Sequence, residues 1–148
     1  MLLDDDQQLR YSRHLLLDEW SEAAQERLLN AHALVIGAGG LGAPALMYLA
    51  SCGVGRITVV DPDTVHLTNL QRQIGHTTAE IGQSKVGSLA QRLAALNPLT
   101  RLTLLAEHLS GDALFARVAQ ADLVLDCSDN FATRLAVNRA CVALRKPL

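Results

Sequence analysis

The stretch ALVIGAGGLG, at residues 33–42, decides the fold of this chain. Residues 33–37 are apolar and too few to form a helix of their own, which predicts a buried parallel strand. Residues 37–42 follow the pattern G-x-G-x-x-G and come directly before a predicted helix that begins near Ala43 and carries Pro44 in its first turn. A strand, a glycine turn and a helix in this order are typical of a nucleotide-binding βαβ unit.

The glycines of this turn are candidate phosphate-binding residues. Without side chains they let a pyrophosphate approach the backbone N–H groups, while the N-terminus of the following helix supplies partial positive charge. The alternative is that glycine only permits tight packing of the strand against the helix, and the motif by itself does not separate the two. The candidates are Gly37, Gly39, Gly40 and Gly42.

Short apolar runs alternate with longer helical patterns along the rest of the chain, which indicates βαβ construction. We predict an α/β fold of the Rossmann-like, doubly wound kind, with a mostly parallel sheet in the order 3-2-1-4. The predicted strands are residues 33–37, 56–61, 102–106 and 122–126, and the predicted helices are residues 43–52, 84–96, 112–119 and 130–144.

Two domains are expected, a helical segment at residues 1–30 and an ATP-binding domain at residues 31–148. The helical segment contains apolar Leu9 and Leu16 at helical spacing within residues 5–17, and a second helix at residues 21–29 with Ser21 as its cap. Residues 146–148 lie where another strand would begin, so we expect the second half of the domain to be absent.

The composition excludes several classes of protein. A chain of 148 residues fits one domain with a sizeable core. Thirteen basic and fifteen acidic residues give a formal charge of -2, which predicts no general attraction to nucleic acid or to an anionic membrane. The three cysteines are odd in number and far apart, which favours reduced thiols in a cytoplasmic protein.

Asp61 ends the second predicted strand, where a carboxylate would accept hydrogen bonds from ribose hydroxyls. The glycines and Asp61 together do not separate NAD from ATP. The residues that follow favour ATP, because Asn69, Arg72 and Lys85 add an amide and two cations near the turn. A triphosphate needs such fixed donors, since charge builds on its oxygens during displacement. Taken singly, each of the two cations could be a surface charge.

Asp129 and Asn130 follow the last predicted strand. Ligands of doubly wound sheets bind outside the carboxyl ends of the strands, so Asp129 is expected to face the same crevice as Gly39 and Asp61. A carboxylate at that position suits Mg²⁺, which is commonly held by one or two carboxylates together with substrate phosphates. The alternative is that both residues only cap the last helix.

Taken together, these motifs closely resemble the ThiF/MoeB/HesA family, the bacterial relatives of ubiquitin-activating enzymes. The resemblance runs from about Leu9 to the end of the chain. It rests on RYSR at residues 10–13, the glycine turn, DPDTVHLTNLQRQ at residues 61–73, Lys85 and DCSDN at residues 126–130.

The resemblance implies an adenylyltransferase that activates the C-terminal glycine carboxylate of a ubiquitin-like sulfur-carrier protein of thiamine or molybdopterin biosynthesis. It implies that Asn69, Arg72 and Lys85 surround the triphosphate and that Asp129 holds Mg²⁺. It also implies a homodimer in which Arg13 reaches the partner subunit's site. Zinc is implied only in the C-terminal half, which these residues do not include.

Two alternatives stay open from the residues alone. One is a fragment of an NAD-dependent oxidoreductase, which accounts for the glycines and Asp61 but leaves Arg72 and Asp129 without a role. The other is a non-catalytic nucleotide-binding scaffold. The five histidines are scattered, and each is expected to be structural or exposed rather than catalytic.

Overall fold

The computed structural model describes residues 3–148, so the first two residues of the predicted helical segment lie outside the described residues. Three short helices come first, α1 (Asp5–Arg10), α2 (Ser12–Leu15) and α3 (Glu22–Asn30). The α/β part follows as β1 (His32–Ile36), α4 (Gly42–Cys52), β2 (Arg56–Val60), α5 (Lys85–Leu96), β3 (Arg101–Leu105), α6 (Gly111–Gln120), β4 (Leu123–Asp126) and α7 (Phe131–Leu144).

The four strands form one sheet in the order β3-β2-β1-β4, and all three neighbouring pairs are parallel. This order confirms the predicted topology. From β1 the chain continues to β2 and β3, which lie on one side of β1. It then returns to form β4 on the other side of β1, so the strand order reverses between β1 and β4. In sheets of this kind the reversal opens a crevice at the carboxyl ends of the strands.

Helices cover both faces of the sheet. On one face α4 and α5 bury Leu46, Leu89 and Leu93 against β1 and β2. On the other face α6 and α7 bury Leu114 and Val137 against β1 and β4. Because β1 is covered on both sides, all five of its residues are buried, as a continuous apolar run predicts.

Local contacts define the ends of three helices. The side chain of Ser21 accepts a hydrogen bond from the Ala24 N–H and caps α3, which confirms the predicted cap. Ser84, predicted as the first residue of its helix, instead precedes α5 and caps it by accepting from the Gly87 N–H. Gly53 ends α4 with φ +98°, in the left-handed region that glycine favours.

The N-terminal segment differs from its prediction. The helical pattern over residues 5–17 is interrupted at Tyr11, whose buried hydroxyl accepts a hydrogen bond from Asn97 Nδ2 at 2.8 Å. Leu9 and Leu16 are exposed, so the apolar side predicted from their spacing is wrong. The interruption also puts Arg10 and Arg13 on different helices, α1 and α2.

The last residues of the chain pass beside β4, where the Pro147 carbonyl accepts a hydrogen bond from the Val124 N–H at 3.0 Å. Among residues 3–148, no helix combines the length and the apolar character that crossing a membrane would require.

Candidate functional site

A cleft of about 540 Å³ opens at the carboxyl ends of the strands. Its volume falls in the range of typical small-molecule sites. The glycine turn, the end of β2, the start of α5 and the residues after β4 all contribute to its walls. The predicted site residues that line it are Gly37, Gly39, Gly40, Asp61, Arg72, Lys85, Asp129 and Asn130.

The glycine turn requires glycine at two positions because of its own backbone. Gly37 has φ +103°, and a Cβ there would lie 2.5 Å from the Cys127 carbonyl oxygen. A Cβ on Gly42 would lie 1.8 Å from the Gly37 carbonyl oxygen. Any side chain at either position would push β1, α4 and the segment after β4 apart. The packing explanation therefore accounts for Gly37 and Gly42.

Gly39 and Gly40 differ, since the nearest atoms to a Cβ at these positions would be 3.2 Å and 3.5 Å away. Both line the cleft next to the N-terminus of α4, which no side chain caps. Bare backbone at an uncapped helix N-terminus suits a phosphate group.

Asp61 is buried at the end of β2 and holds the glycine turn. Its Oδ2 accepts a hydrogen bond from the Ala38 N–H and its Oδ1 accepts one from the Asp63 N–H, each at 2.8 Å. Each carboxylate oxygen can accept a further hydrogen bond, so these contacts leave capacity for a ligand hydroxyl. Asp61 is thus a structural residue of the turn as well as a candidate ligand contact.

Lys85 carries a buried positive charge beside the cleft. Its ammonium Nζ lies 3.0 Å from Asp63 Oδ2, and its backbone N–H donates to the Asp63 carbonyl at 2.9 Å. The sequence predicted no role for Asp63. Its side chain is 63% exposed, so its carboxylate neutralises the charge of the Lys85 ammonium from the solvent side. A phosphate oxygen that reaches Nζ would therefore meet a lysine already oriented by a carboxylate.

Arg72 and Asp129 are both exposed and line the cleft. One guanidinium nitrogen of Arg72, Nη1, donates to the Thr68 carbonyl at 3.0 Å, which leaves other donors of its planar group for a ligand. Asn130 has the capping role that sequence reasoning offered as an alternative, because its Oδ1 accepts from the Thr133 N–H at 2.9 Å. Asp129 is not part of that cap.

Three predicted site residues do not line the cleft: Arg13, Asn69 and Gly42. Asn69 sits at the end of a 3-10 helix (Leu67–Asn69), where its side chain accepts from the His66 N–H at 3.1 Å. Arg13 is exposed on α2, and α2 packs at the amino ends of the strands through His14. Within one chain, the fold does not bring Arg13 to the cleft.

Two residues near the turn were missed by sequence reasoning, Gln73 and His76. The buried ring of His76 bridges two elements, with Nε2 2.9 Å from the Ala38 carbonyl and Nδ1 2.8 Å from Ser88 Oγ. Because a carbonyl can only accept, Nε2 carries the proton and the serine hydroxyl donates to Nδ1. His76 therefore ties the glycine turn to α5, in agreement with the expectation of structural histidines.

Cys127 also lines the cleft, as do Ile36 and Ser128. Burial raises the pKa of its thiol, and the nearby negative charge of Asp126 raises it further. The thiol is therefore protonated at neutral pH, which fits a wall of the cleft rather than a nucleophile. Among residues 3–148, no group of three or more His, Cys, Asp or Glu side chains is arranged to hold a metal ion.

Residues 11–148 match the ThiF family. The chain belongs to the ThiF family. Over 146 residues it is 51% identical to the sulfur carrier protein ThiS adenylyltransferase of Escherichia coli strain K12, with 99% of this chain and 58% of that protein covered. It is 44% identical over 146 residues to the molybdopterin-synthase adenylyltransferase of the same strain, which covers 99% of this chain and 59% of that relative.

Solved structures agree with this ThiF-family assignment. The crystal structure of the E. coli tRNA N6-threonylcarbamoyladenosine dehydratase TcdA in complex with AMP has a TM-score of 0.91 at 29% identity and covers 100% of this chain and 60% of that chain. The same dehydratase in complex with ATP has a TM-score of 0.87, again at 29% identity, with 100% and 60% covered. The chain thus spans 58–60% of the length of the relatives and solved structures named here.

Proposed function

We propose that the protein to which this chain belongs is an ATP-dependent adenylyltransferase. It activates the C-terminal glycine carboxylate of a ubiquitin-like sulfur-carrier protein and forms an acyl-adenylate and pyrophosphate. The observation that carries the proposal is the convergence of the glycine turn, Arg72, Lys85 and Asp129 on one cleft. Two relatives whose names state adenylyltransferase activity on a sulfur carrier or on molybdopterin synthase support it.

In this proposal, each residue contacts a different part of the nucleotide. Gly39 and Gly40 bind phosphate through backbone N–H groups, and Asp61 accepts from the ribose hydroxyls. Arg72 and Lys85 neutralise the triphosphate as charge develops on its oxygens, and Asn130 lines the same cleft. NAD offers only a pyrophosphate, so an NAD-dependent enzyme would not account for both cations.

A magnesium ion fits the carboxylate side of this cleft. Mg²⁺ takes oxygen ligands and is usually held by one or two carboxylates plus substrate phosphates. Asp129 is exposed on the cleft wall and would hold the ion, which would supply further neutralisation of phosphate charge.

The chemistry requires no general base. An α-carboxylate has a pKa of about 3.3–3.7 and is ionised at neutral pH, so it attacks the α-phosphorus without losing a proton first. The carboxylate oxygen forms a bond to phosphorus and the bond to pyrophosphate breaks. Catalysis then reduces to positioning and charge neutralisation, which a cleft with two cations can supply.

The direct test is release of pyrophosphate by the whole protein with each of two carriers, one of thiamine and one of molybdopterin biosynthesis. We expect release that depends on ATP and on an intact C-terminal glycine. Titration of ATP and NADH separates the oxidoreductase alternative, which requires tighter binding of NADH. ATP binding with no pyrophosphate release on either carrier would instead favour a non-catalytic scaffold.

We further propose a cytoplasmic homodimer in which Arg13 of one subunit completes the ATP site of its partner. The position of Arg13 far from its own cleft supports a role in trans. Subunits of the whole protein that carry Arg13→Ala or Asp129→Ala should each be inactive alone. Mixed dimers form one complete site, so adenylation should return to roughly a quarter of wild type if subunits exchange freely and one site of a dimer works alone. Mixed dimers without activity would contradict the role of Arg13.

A further inference from the structure

Gln73 has the only buried side-chain nitrogen or oxygen atom without a hydrogen-bond partner among residues 3–148. Its side chain is 5% exposed, and Oε1 is the atom without a partner. Buried polar side-chain atoms are nearly always paired, so an exception at the wall of a cleft needs an explanation. Gln73 lines the same cleft as the glycine turn and Arg72.

The amide of Gln73 lies over the phosphate-binding part of the turn. A Cβ built on Gly39 would be 3.2 Å from Gln73 Nε2 and 3.8 Å from Oε1. The amide therefore occupies space that a side chain at position 39 would fill.

The backbone around Gln73 is firmly held, so the unpaired amide is not the result of a loose loop. The Gln73 N–H donates to the Asn69 carbonyl at 2.9 Å, and the Gln73 carbonyl accepts from the His76 N–H at 3.1 Å. His76 in turn bonds to the Ala38 carbonyl of the turn at 2.9 Å. The backbone of Gln73 is thus held in place relative to the turn, and the side-chain amide can move only by changes of its own torsions.

We propose that Gln73 is a further ligand-binding residue of the site and contacts the phosphate chain of the nucleotide. A change of its side-chain torsions moves the amide from its unpaired position over Gly39 into the cleft, where Nε2 donates to a phosphate oxygen. The gain of that hydrogen bond and the release of the unpaired state both favour the bound form. This inference rests on the proposed function, since it needs a nucleotide in the cleft.

The test uses Gln73→Met in the whole protein. Methionine fills a similar volume without a hydrogen-bonding amide, so a residue needed only for packing would tolerate it and a residue needed for ligand binding would not. We expect the midpoint of urea unfolding without ligand to be unchanged or higher. By calorimetry, the affinity for Mg-ATP should fall about tenfold, the effect of losing one hydrogen bond to a charged group.

Two further measurements identify the contact. Gln73→Glu keeps the shape but replaces the donor by a negative charge, so it should weaken Mg-ATP binding more than Gln73→Met does. Adenosine, which lacks phosphate, should bind the unmodified whole protein and both variants equally. Equal loss of adenosine and ATP affinity would contradict a phosphate contact.

The outcomes separate this inference from the proposed function. If the unmodified whole protein binds ATP and Gln73→Met binds it equally well, Gln73 does not contact the nucleotide and the proposed function stands. If the unmodified whole protein binds no ATP, both are overturned. A lower unfolding midpoint with unchanged ATP affinity would show that Gln73 has only a structural role.

Discussion

Two buried glutamines lie at opposite ends of the sheet and differ in how many hydrogen bonds their side-chain amides form. Gln25 is fully buried at the amino ends of the strands, and both the oxygen and the nitrogen of its amide form hydrogen bonds. Its Oε1 accepts from Trp20 Nε1 at 3.0 Å and lies 2.9 Å from His14 Nδ1, while its Nε2 donates to the Cys52 carbonyl at 2.9 Å. Gln73 at the carboxyl ends is 5% exposed, yet its Oε1 has no partner.

The difference supports the proposal that buried polar groups stabilise the fold at the amino end and bind ligand at the carboxyl end. At the amino end, each partner of Gln25 comes from a different part of the chain, so the amide joins the N-terminal helices to the end of α4. At the carboxyl end, the groups that face the cleft keep donors or acceptors free. Uniform packing requirements would not produce this asymmetry, whereas a ligand that enters from one side would.

The largest expected effect is on stability, in Gln25→Met. The change leaves the Cys52 carbonyl and the Trp20 N–H without partners in a buried site, which costs roughly 3 kcal/mol of the free energy of unfolding. Urea unfolding should show this loss, while ATP affinity measured by calorimetry at a temperature where the variant is folded should be unchanged. The matched control, Gln73→Met, should show the reverse pattern. A Gln25→Met variant with an unchanged free energy of unfolding would contradict the structural role given to Gln25.

Asp61→Ala should affect both properties, because Asp61 belongs to the fold and to the site. Removing its carboxylate leaves the buried Ala38 N–H unpaired, which we expect to lower the free energy of unfolding by about 1–3 kcal/mol. Mg-ATP binding should weaken at least tenfold, about 1.4 kcal/mol. Unfolding and calorimetry measure the two effects separately. Lower stability with wild-type affinity would remove Asp61 from the nucleotide site.

Arg72→Ala should affect binding alone. Its guanidinium is exposed and makes one hydrogen bond to a nearby carbonyl, so its loss should change the free energy of unfolding by less than about 0.5 kcal/mol. We expect Mg-ATP affinity to fall at least tenfold, about 1.4 kcal/mol. Arg101→Ala, an exposed arginine at the amino end of β3, is the matched control. Equal losses in both variants would point to overall charge rather than a site.

The smallest effect concerns two half-buried thiols, Cys52 at the amino end and Cys127 at the carboxyl end. Burial raises the pKa of both, so both should react more slowly with iodoacetamide at neutral pH than an ordinary thiol and faster as pH rises toward the pKa. ATP at about ten times its dissociation constant should slow alkylation of Cys127 roughly tenfold. Mass spectrometry of the two peptides should show no such protection of Cys52.

Much of the α/β architecture could be predicted because it depends on local patterns. The apolar run of β1 and the glycine at the end of α4 are properties of a few consecutive residues, and they determine strand, turn and helix in order. The parallel order β3-β2-β1-β4 is the one typical of doubly wound folds that begin with this strand, glycine turn and helix. Sequence reasoning also expected the glycine turn, Asp61 and Asp129 to face one crevice, and all three line the same cleft.

What the sequence could not predict depends on contacts between residues far apart in the chain. The break at Tyr11 depends on a hydrogen bond to Asn97, 86 residues away, and no local pattern carries that information. The ion pair of Lys85 with Asp63 and the bond of His76 to the glycine turn arise the same way, because the loop after β2 folds back over the turn.

The sequence by itself determined the family, the doubly wound sheet and the set of polar residues gathered at one end of it. Those follow from residue type and spacing, since a motif places its side chains relative to its own strand or helix. Only the tertiary structure decided which polar groups are already paired and which stay free, because pairing depends on distances between separate elements. That is why Asn130 is occupied as a helix cap and Arg13 lies away from its own cleft. It is also why Gln73 Oε1 has no hydrogen-bond partner beside the glycine turn.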